Sequence, residues 1–232
     1  MKLLLCSDFK VVGSKFLYKF FNLNEQHTCL FVDYASEDYD VQNEIEYTSS
    51  AKEKLLELGF KIIQLNPDYN FQDKVDMIYV RGGNATKLIH LLRKYNQFKQ
   101  IKTLTESGVL YAGESAGALI AGTDTEWTLR AEPYNFDVKS EFGEKALMGF
   151  GWIDKMIFVH CSKYRFPWSS ENYGSNLVRI KNREFYGEYL KDLKIYPKGT
   201  YLTLGNNQVL YQNGNDYKIL TYNWSKVPVI KK

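Results

Sequence analysis

Cysteine is scarce in this chain, and its arrangement excludes two classes of protein. The 232 residues include three cysteines, Cys6, Cys29 and Cys161, and none of them forms a CxxC pair. An odd count without paired spacing argues against a disulfide framework and against a cysteine-ligated zinc site. We therefore expect a reducing, cytoplasmic environment and neither a metal nor a cofactor.

Long apolar runs and blocks of like charge are missing as well. No stretch approaches the roughly 18 apolar residues of a membrane span, and the first apolar run, residues 3–6, is too short for a signal peptide. The formal net charge is only +3, and basic residues are interleaved with acidic ones. We expect no membrane or nucleic-acid partner, and either a monomer or a homodimer.

Internal repeats, linkers and low-complexity tracts are also absent, so the sequence offers no domain boundary. Hydrophobic residues make up 44% of the chain and charged residues 25%, as in an ordinary globular protein. A length of 232 residues is short for two full domains. We interpret residues 1–232 as a single α/β domain with a large core.

What the sequence does contain is a series of short apolar runs separated by helical patterns. The runs lack polar alternation, which is typical of strands covered on both faces. They occupy residues 2–7, 29–35, 60–66, 75–80 and 108–113. Strands that alternate with helices predict a three-layer fold, in which a mostly parallel sheet carries helices on both faces.

The helical patterns and the second half of the chain are less uniform. One helix is expected before Gly59, and a second after Asn84, a typical N-cap. Further along, we expect a long loop at residues 123–147. A strand is expected at residues 156–162 and a partly helical segment at residues 171–193. The alternating tail, residues 200–222, contains Asn213-Gly214 and predicts a C-terminal β-hairpin.

One short motif points to chemistry. In "VLYAGESAGALIAG", residues 109–122, the stretch from Gly113 to Gly117 matches G-x-S-x-G between a strand and a helix. This spacing is typical of a tight turn that holds a serine at its apex, here Ser115. The amide of Ala116 would then point at a developing oxyanion. The alternative is a glycine-rich turn with a solvated serine.

A second glycine turn, Gly82-Gly83-Asn84, also connects a strand to a helix. It lacks the G-x-G-x-x-G spacing of a dinucleotide site. A bare backbone N–H in such a turn can donate to a bound ligand, so Gly82 and Gly83 are candidates for the second oxyanion donor. Asn84 is a candidate substrate contact. The alternative is that the turn is purely structural.

A serine nucleophile needs a base, and the chain contains only three histidines. His27 precedes the second strand in a polar stretch and is most simply a surface residue. His90 lies inside an amphipathic helix. His160 ends the strand-like run "KMIFVH". Since a catalytic base belongs at the end of a strand, His160 is the histidine that suits Ser115.

These motifs together resemble peptidase family S51, the dipeptidase E (aspartyl dipeptidase) and cyanophycinase group, over residues 1–212. The similarity lies in "YVRGGNATKLIHLL", "YAGESAGALIAG", "GWIDKMIFVH" and "TLGNNQVLYQNG". The resemblance implies a class I glutamine-amidotransferase-like (flavodoxin-like) fold. It also implies a serine peptidase, with Ser115 as nucleophile, His160 as general base, and Gly82 or Gly83 with Ala116 as the oxyanion hole.

The chain departs from the family pattern at the acidic partner of the histidine. The C-terminal stretch that carries an acid in dipeptidase E is "LTLGNN" here, and it holds Asn206 and Asn207 but no carboxylate. Our first candidate for the third member is Glu132, followed by Asp137 and Asn206. Arg81 also replaces the first glycine of the family turn.

The resemblance implies a cytoplasmic serine peptidase that hydrolyses small peptides, including dipeptides with an N-terminal aspartate. An aspartate side chain needs a cation, for which Arg130, Lys163 and Arg165 are the candidates. The first alternative is a weak or inactive relative that binds a small ligand or a partner. The second is an amidohydrolase or glutaminase, which ranks lower because such enzymes carry cysteine at the elbow.

Overall fold

A central sheet of seven strands organises the chain in a computed structural model, which describes residues 1–10, 12–36, 51–131, 137–161 and 196–222. The strands lie in the order β3-β2-β4-β5-β1-β8-β9. Their bounds are β1 (Lys2–Cys6), β2 (His27–Val32), β3 (Phe60–Gln64), β4 (Met77–Val80), β5 (Leu110–Glu114), β8 (Gln208–Asn213) and β9 (Tyr217–Thr221). The first five are mutually parallel, whereas β8 pairs antiparallel with β1 and β9 pairs antiparallel with β8.

Helices cover both faces of this sheet. They are a 3₁₀ helix (Gly13–Lys19), α1 (51–57), α2 (Ala85–Lys94), α3 (Gln97–Glu106), α4 (Ala116–Leu119), α5 (Thr128–Ala131) and α6 (Val138–Phe142). Within the described ranges, no helix combines the length and the apolar composition that crossing a bilayer requires.

Alternation along each strand divides the core into two layers, as β1 shows. Leu3 and Leu5 pack on one face with α2, α3 and α4. Leu4 and Cys6 pack on the other face with the 3₁₀ helix and α1. All four side chains are fully buried because successive residues of a strand point to opposite faces. The predicted three-layer, mostly parallel fold is therefore confirmed.

The helix ends follow local chemistry. The side chain of Asn84 accepts a hydrogen bond from the N–H of Lys87 at 2.9 Å, which confirms the predicted N-cap of α2. Gly59 follows α1 with φ +84°, a left-handed conformation that glycine adopts without strain. Helix α3 was missed by the sequence analysis, although Phe98, Ile101 and Leu104 recur on one side of it.

Three expectations for the second half need correction. Residues 123–147 contain two short helices, α5 and α6, rather than only a loop. The strand expected over residues 156–162 is limited to β6 (Met156–Phe158). Residues Tyr201–Thr203 were expected to belong to the tail hairpin. They form β7, which instead pairs in parallel with β6 in a separate two-stranded sheet.

The rest of the tail behaves as predicted. Strands β8 and β9 form an antiparallel hairpin, and Gly214 in the connecting turn has φ +111°. The hairpin extends the central sheet because β8 pairs with β1. The helix expected within residues 171–193 lies outside the described residues.

The two neighbouring helices α2 and α3 provide a matched test of capping. Asn84→Ala removes a side-chain cap and should lower the free energy of unfolding by about 1 kcal/mol. Asn96 precedes α3 with φ +56° and makes no side-chain cap bond, so Asn96→Gly should leave stability equal or slightly higher. Urea unfolding of both variants measures the difference, and equal losses would contradict this assignment of the caps.

Candidate active site

Ser115 lies at the junction of β5 and α4 in a strained backbone conformation. Its φ is 48° and its ψ is −110°, outside the regions that residues with a side chain usually adopt. The junction is held on both sides, since the N–H of Ser115 donates to the carbonyl of Cys6 at 2.9 Å. Its own carbonyl accepts from Ala118 and Leu119 in α4. The tight turn expected from the sequence is present.

The two motif glycines permit close backbone approaches around this turn. A Cβ at Gly113 would lie 2.5 Å from the carbonyl oxygen of Gly117, and a Cβ at Gly117 would lie 2.2 Å from that of Val80. Neither distance is compatible with a side chain. Glycine is therefore required at both positions by the packing of α4 against the ends of β4 and β5.

Glu114 holds the same turn through its side chain. The sequence did not indicate this role. The residue is only 3% exposed. One oxygen accepts the N–H of Phe9 at 2.9 Å, and the other accepts the hydroxyl of Tyr79 at 2.5 Å. These bonds tie the residue before Ser115 to the loop after β1 and to β4. No spacing rule in the sequence indicates such long-range partners.

His160 is the histidine that the structure brings to Ser115. Its Nε2 lies 3.1 Å from the serine Oγ. His90 instead lies in α2 with Nε2 3.1 Å from a carboxylate oxygen of Glu141. His27 is the first residue of β2, not a residue before it, and its ring nitrogen lies 3.0 Å from the carbonyl of Asn22.

The second ring nitrogen of His160 contacts Asn206. The distance from Nδ1 to the side-chain oxygen Oδ1 is 3.1 Å. An amide oxygen only accepts hydrogen bonds, so Nδ1 carries the proton and Nε2 presents its lone pair to the serine hydroxyl. This is the tautomer in which the imidazole can take a proton from Ser115.

Of the two acidic candidates for this position, the structure describes one. Asp137 is the N-cap of α6, where its carboxylate accepts the N–H of Ser140 at 3.1 Å. Glu132 lies outside the described residues. Of the three candidates named from the sequence, Asn206 is the one whose contact with the imidazole is described.

The surroundings of His160 lower the pKa of its imidazole. Burial is the main cause, because a desolvated ring disfavours the charged form. The hydrogen bond with Asn206 and the negative charge of Glu114 act in the opposite direction but do not outweigh burial. The ring is therefore neutral at pH 7, as a base requires.

The second glycine turn reaches the serine through Gly82. A Cβ there would lie 2.8 Å from the Cβ of Ser115. Gly83, with φ +134°, packs instead against the carbonyl of Ala35, which also accepts the N–H of Asn84 at 2.9 Å. Gly82 and the first residue of α4, Ala116, thus flank the serine.

The structure describes the backbone of one of the three predicted cations. Arg130 belongs to α5, while Lys163 and Arg165 lie outside the described residues. Across the part of the chain that is described, no group of three or more histidine, cysteine or acidic side chains is arranged to hold a metal ion. The three cysteines are free thiols.

The model of peptidase family S51 matches residues 7–220. The chain belongs to peptidase family S51. The resemblance found in the glycine turns and in the histidine strand is thereby confirmed, and it extends over the structure described above. Membership also agrees with the fold that the resemblance implies, a mostly parallel central sheet with helices.

Individual relatives of this S51 chain are similar at moderate identity. An uncharacterized peptidase of Listeria innocua is 34% identical over 125 residues, which cover 51% of this chain and 58% of the relative. Peptidase E of Haemophilus influenzae is 32% identical over 101 residues, or 41% of this chain and 44% of the relative. The chain thus matches about half the length of these curated relatives.

The solved structures show the fold. A candidate peptidase E protein of Listeria monocytogenes EGD-e superimposes with a TM-score of 0.67 at 21% identity, covering 96% of this chain and 98% of that one. A peptidase from an acI-B1 Actinobacterium gives a TM-score of 0.59 at 15% identity, covering 95% and 87%.

The electrostatics of the imidazole predict its titration. In NMR spectra of labelled histidine, His160 should titrate at a lower pH than a solvent-exposed histidine, because burial lowers its pKa. Asn206→Asp should raise that midpoint, since a carboxylate beside Nδ1 stabilises the charged ring. The His160→Gln variant assigns the signal. A wild-type midpoint at or above that of a solvent-exposed histidine, or a lower midpoint in Asn206→Asp than in wild type, would contradict the described environment.

Proposed function

We propose that this chain is a serine peptidase that hydrolyses small peptides through an acyl-enzyme on Ser115. One observation carries the proposal: Ser115 Oγ, the imidazole of His160 and the amide of Asn206 form a continuous hydrogen-bonded chain at a strained strand-to-helix turn. Each link is 3.1 Å long, within reach for proton transfer and for orientation of the ring.

The reaction follows from the roles of these atoms. Nε2 of His160 takes the hydroxyl proton while Oγ of Ser115 attacks the peptide carbonyl. The N–H groups of Ala116 and Gly82 stabilise the oxyanion, with Gly83 as the other candidate donor. The protonated imidazole then gives its proton to the leaving amine. Water, deprotonated by the same nitrogen, finally hydrolyses the ester.

Asn206 limits the rate that this arrangement reaches. As an amide it holds Nδ1–H and the useful tautomer, but it carries no charge to stabilise the imidazolium. Glu114 supplies a buried negative charge from the other side of the turn. We therefore expect a working but slow peptidase.

The substrate class follows from the relatives and from the candidate cations. Four of the curated relatives are named peptidase E, which favours small peptides and, in keeping with the sequence resemblance, an N-terminal aspartate. Arg130, Lys163 and Arg165 are the candidates for holding its carboxylate. We place this activity in the cytoplasm, in a single domain that acts as a monomer or a homodimer.

A weak or inactive relative that binds a ligand is the second candidate, and the amide at Asn206 favours it. The glutaminase alternative loses support, because those enzymes need a thiolate. Cys6 and Cys29 are buried, and burial raises the pKa of Cys161 to about 12. A thiol with such a pKa is protonated at neutral pH.

A fluorophosphonate probe and Asp-X dipeptides test the proposal. Wild type should be labelled on Ser115 and should hydrolyse the dipeptides, whereas Ser115→Ala should do neither and should keep its fold. His160→Gln should reduce turnover by at least about 10³-fold, and His27→Gln far less. Labelling that survives in Ser115→Ala, or equal losses for both histidines, would refute the assignment of these residues.

The third member is tested by exchanging amide and acid. Asn206→Asp should increase turnover, because the new carboxylate stabilises the imidazolium that forms in the transition state. Glu132→Gln, Asp137→Asn and Asn207→Asp are the controls and should leave turnover near wild type. A large loss in Glu132→Gln with no gain in Asn206→Asp would assign the role to Glu132 instead.

A further inference from the structure

The strand that carries His160 is irregular at that residue. In a regular parallel pair, the residue opposite Val159, which is Leu204, would donate to the carbonyl of Phe158 and accept from the N–H of His160. The first bond is present at 2.7 Å, but the carbonyl of Leu204 accepts from Cys161 instead, at 3.1 Å. One extra residue is therefore inserted, as in a β-bulge.

The inserted residue adopts an unusual backbone conformation. His160 has φ +58°, in the left-handed region that residues with a side chain seldom occupy. Displacement from the ladder turns its ring towards Ser115, and its N–H no longer donates to the carbonyl of Leu204. Such a conformation persists only where the surrounding contacts fix it.

Ser7 provides this contact. It follows β1 directly and is fully buried. Its Oγ accepts the N–H of His160 at 2.9 Å. The same oxygen donates towards the carbonyls of Leu204, at 3.1 Å, and Gly205, at 3.3 Å. One hydroxyl thus joins the bulge that carries the imidazole to the turn that carries Asn206.

We infer that Ser7 is a positioning residue for the reaction: its hydroxyl replaces the missing ladder partner of His160 and sets the imidazole between Ser115 and Asn206. The inference rests on the proposed function. Ser7 acts through the backbone and not on the substrate. It joins residues 153 and 197 positions away in sequence, so it also couples the central sheet to the β6–β7 pair.

Loss of the hydroxyl should therefore impair chemistry more than substrate binding. Ser7→Ala should lower kcat and the rate of fluorophosphonate labelling by about 10- to 100-fold, the effect expected when a reacting group is displaced slightly. KM should change little. In NMR spectra of labelled histidine, the His160 signals should move, whereas those of His27 and His90 should not.

Two further variants separate positioning from a general loss of packing. Ser14→Ala is the matched control. Ser14 lies in the 3₁₀ helix, is also buried, and donates its hydroxyl to the backbone carbonyl of Lys10. It should leave labelling and the His160 signals unchanged. Ser7→Thr keeps a hydroxyl and should restore labelling towards the wild-type rate. Thermal unfolding of each variant confirms that folded protein is compared.

The outcomes separate a failure of the proposed function from a failure of the role of Ser7. A wild type that is neither labelled nor active overturns the proposed function, and the role of Ser7 with it. A labelled wild type with equally fast labelling and unchanged His160 signals in Ser7→Ala overturns only the role of Ser7. Equal losses in Ser7→Ala and Ser14→Ala, or a shared loss in Ser7→Ala and Ser7→Thr, also overturn it.

Discussion

The close approach of backbone to backbone at the carboxyl end of β5 is the constraint on which the site depends. Helix α4 starts immediately above the ends of β4 and β5, leaving 2.2 Å between a hypothetical Cβ of Gly117 and the carbonyl of Val80. Only glycine fits there, and Ser115 must then turn sharply into the helix with φ 48°. The buried sheet and the bonds of Glu114 offset the cost of this strain.

The second half of the site comes from a different sheet. The β6–β7 pair packs on the α4 side of the central sheet, with Ile157 and Phe158 buried in the same core as α4. His160 and Asn206 extend from the ends of this pair. Alignment of the imidazole with the serine therefore depends on how two sheets are joined, and Ser7 forms one of the joints.

Local features were predictable from the sequence, and long-range ones were not. The five parallel strands, the cap at Asn84 and the turn at Ser115 arise from residues close together in the chain. His160 followed from the end of a strand and from the small number of histidines. Asn206, 46 positions from His160, was named only as the third candidate and only through the family resemblance. Ser7, 153 positions away, was not named at all, because no local pattern indicates such a contact.

The preference for an acid beside the imidazole illustrates this limit. Residue type favoured Glu132, because a carboxylate stabilises an imidazolium better than an amide does. Glu132 lies outside the described residues, so its preference stays a prediction, whereas the β7–β8 turn brings Asn206 to Nδ1. An amide there leaves burial as the dominant influence on the imidazole and lowers its pKa. The ring then stays neutral at lower pH, and in the proposed mechanism its charged form gains less stabilisation in the transition state. Both consequences follow because residue 206 has an amide nitrogen where a carboxylate would have its second oxygen.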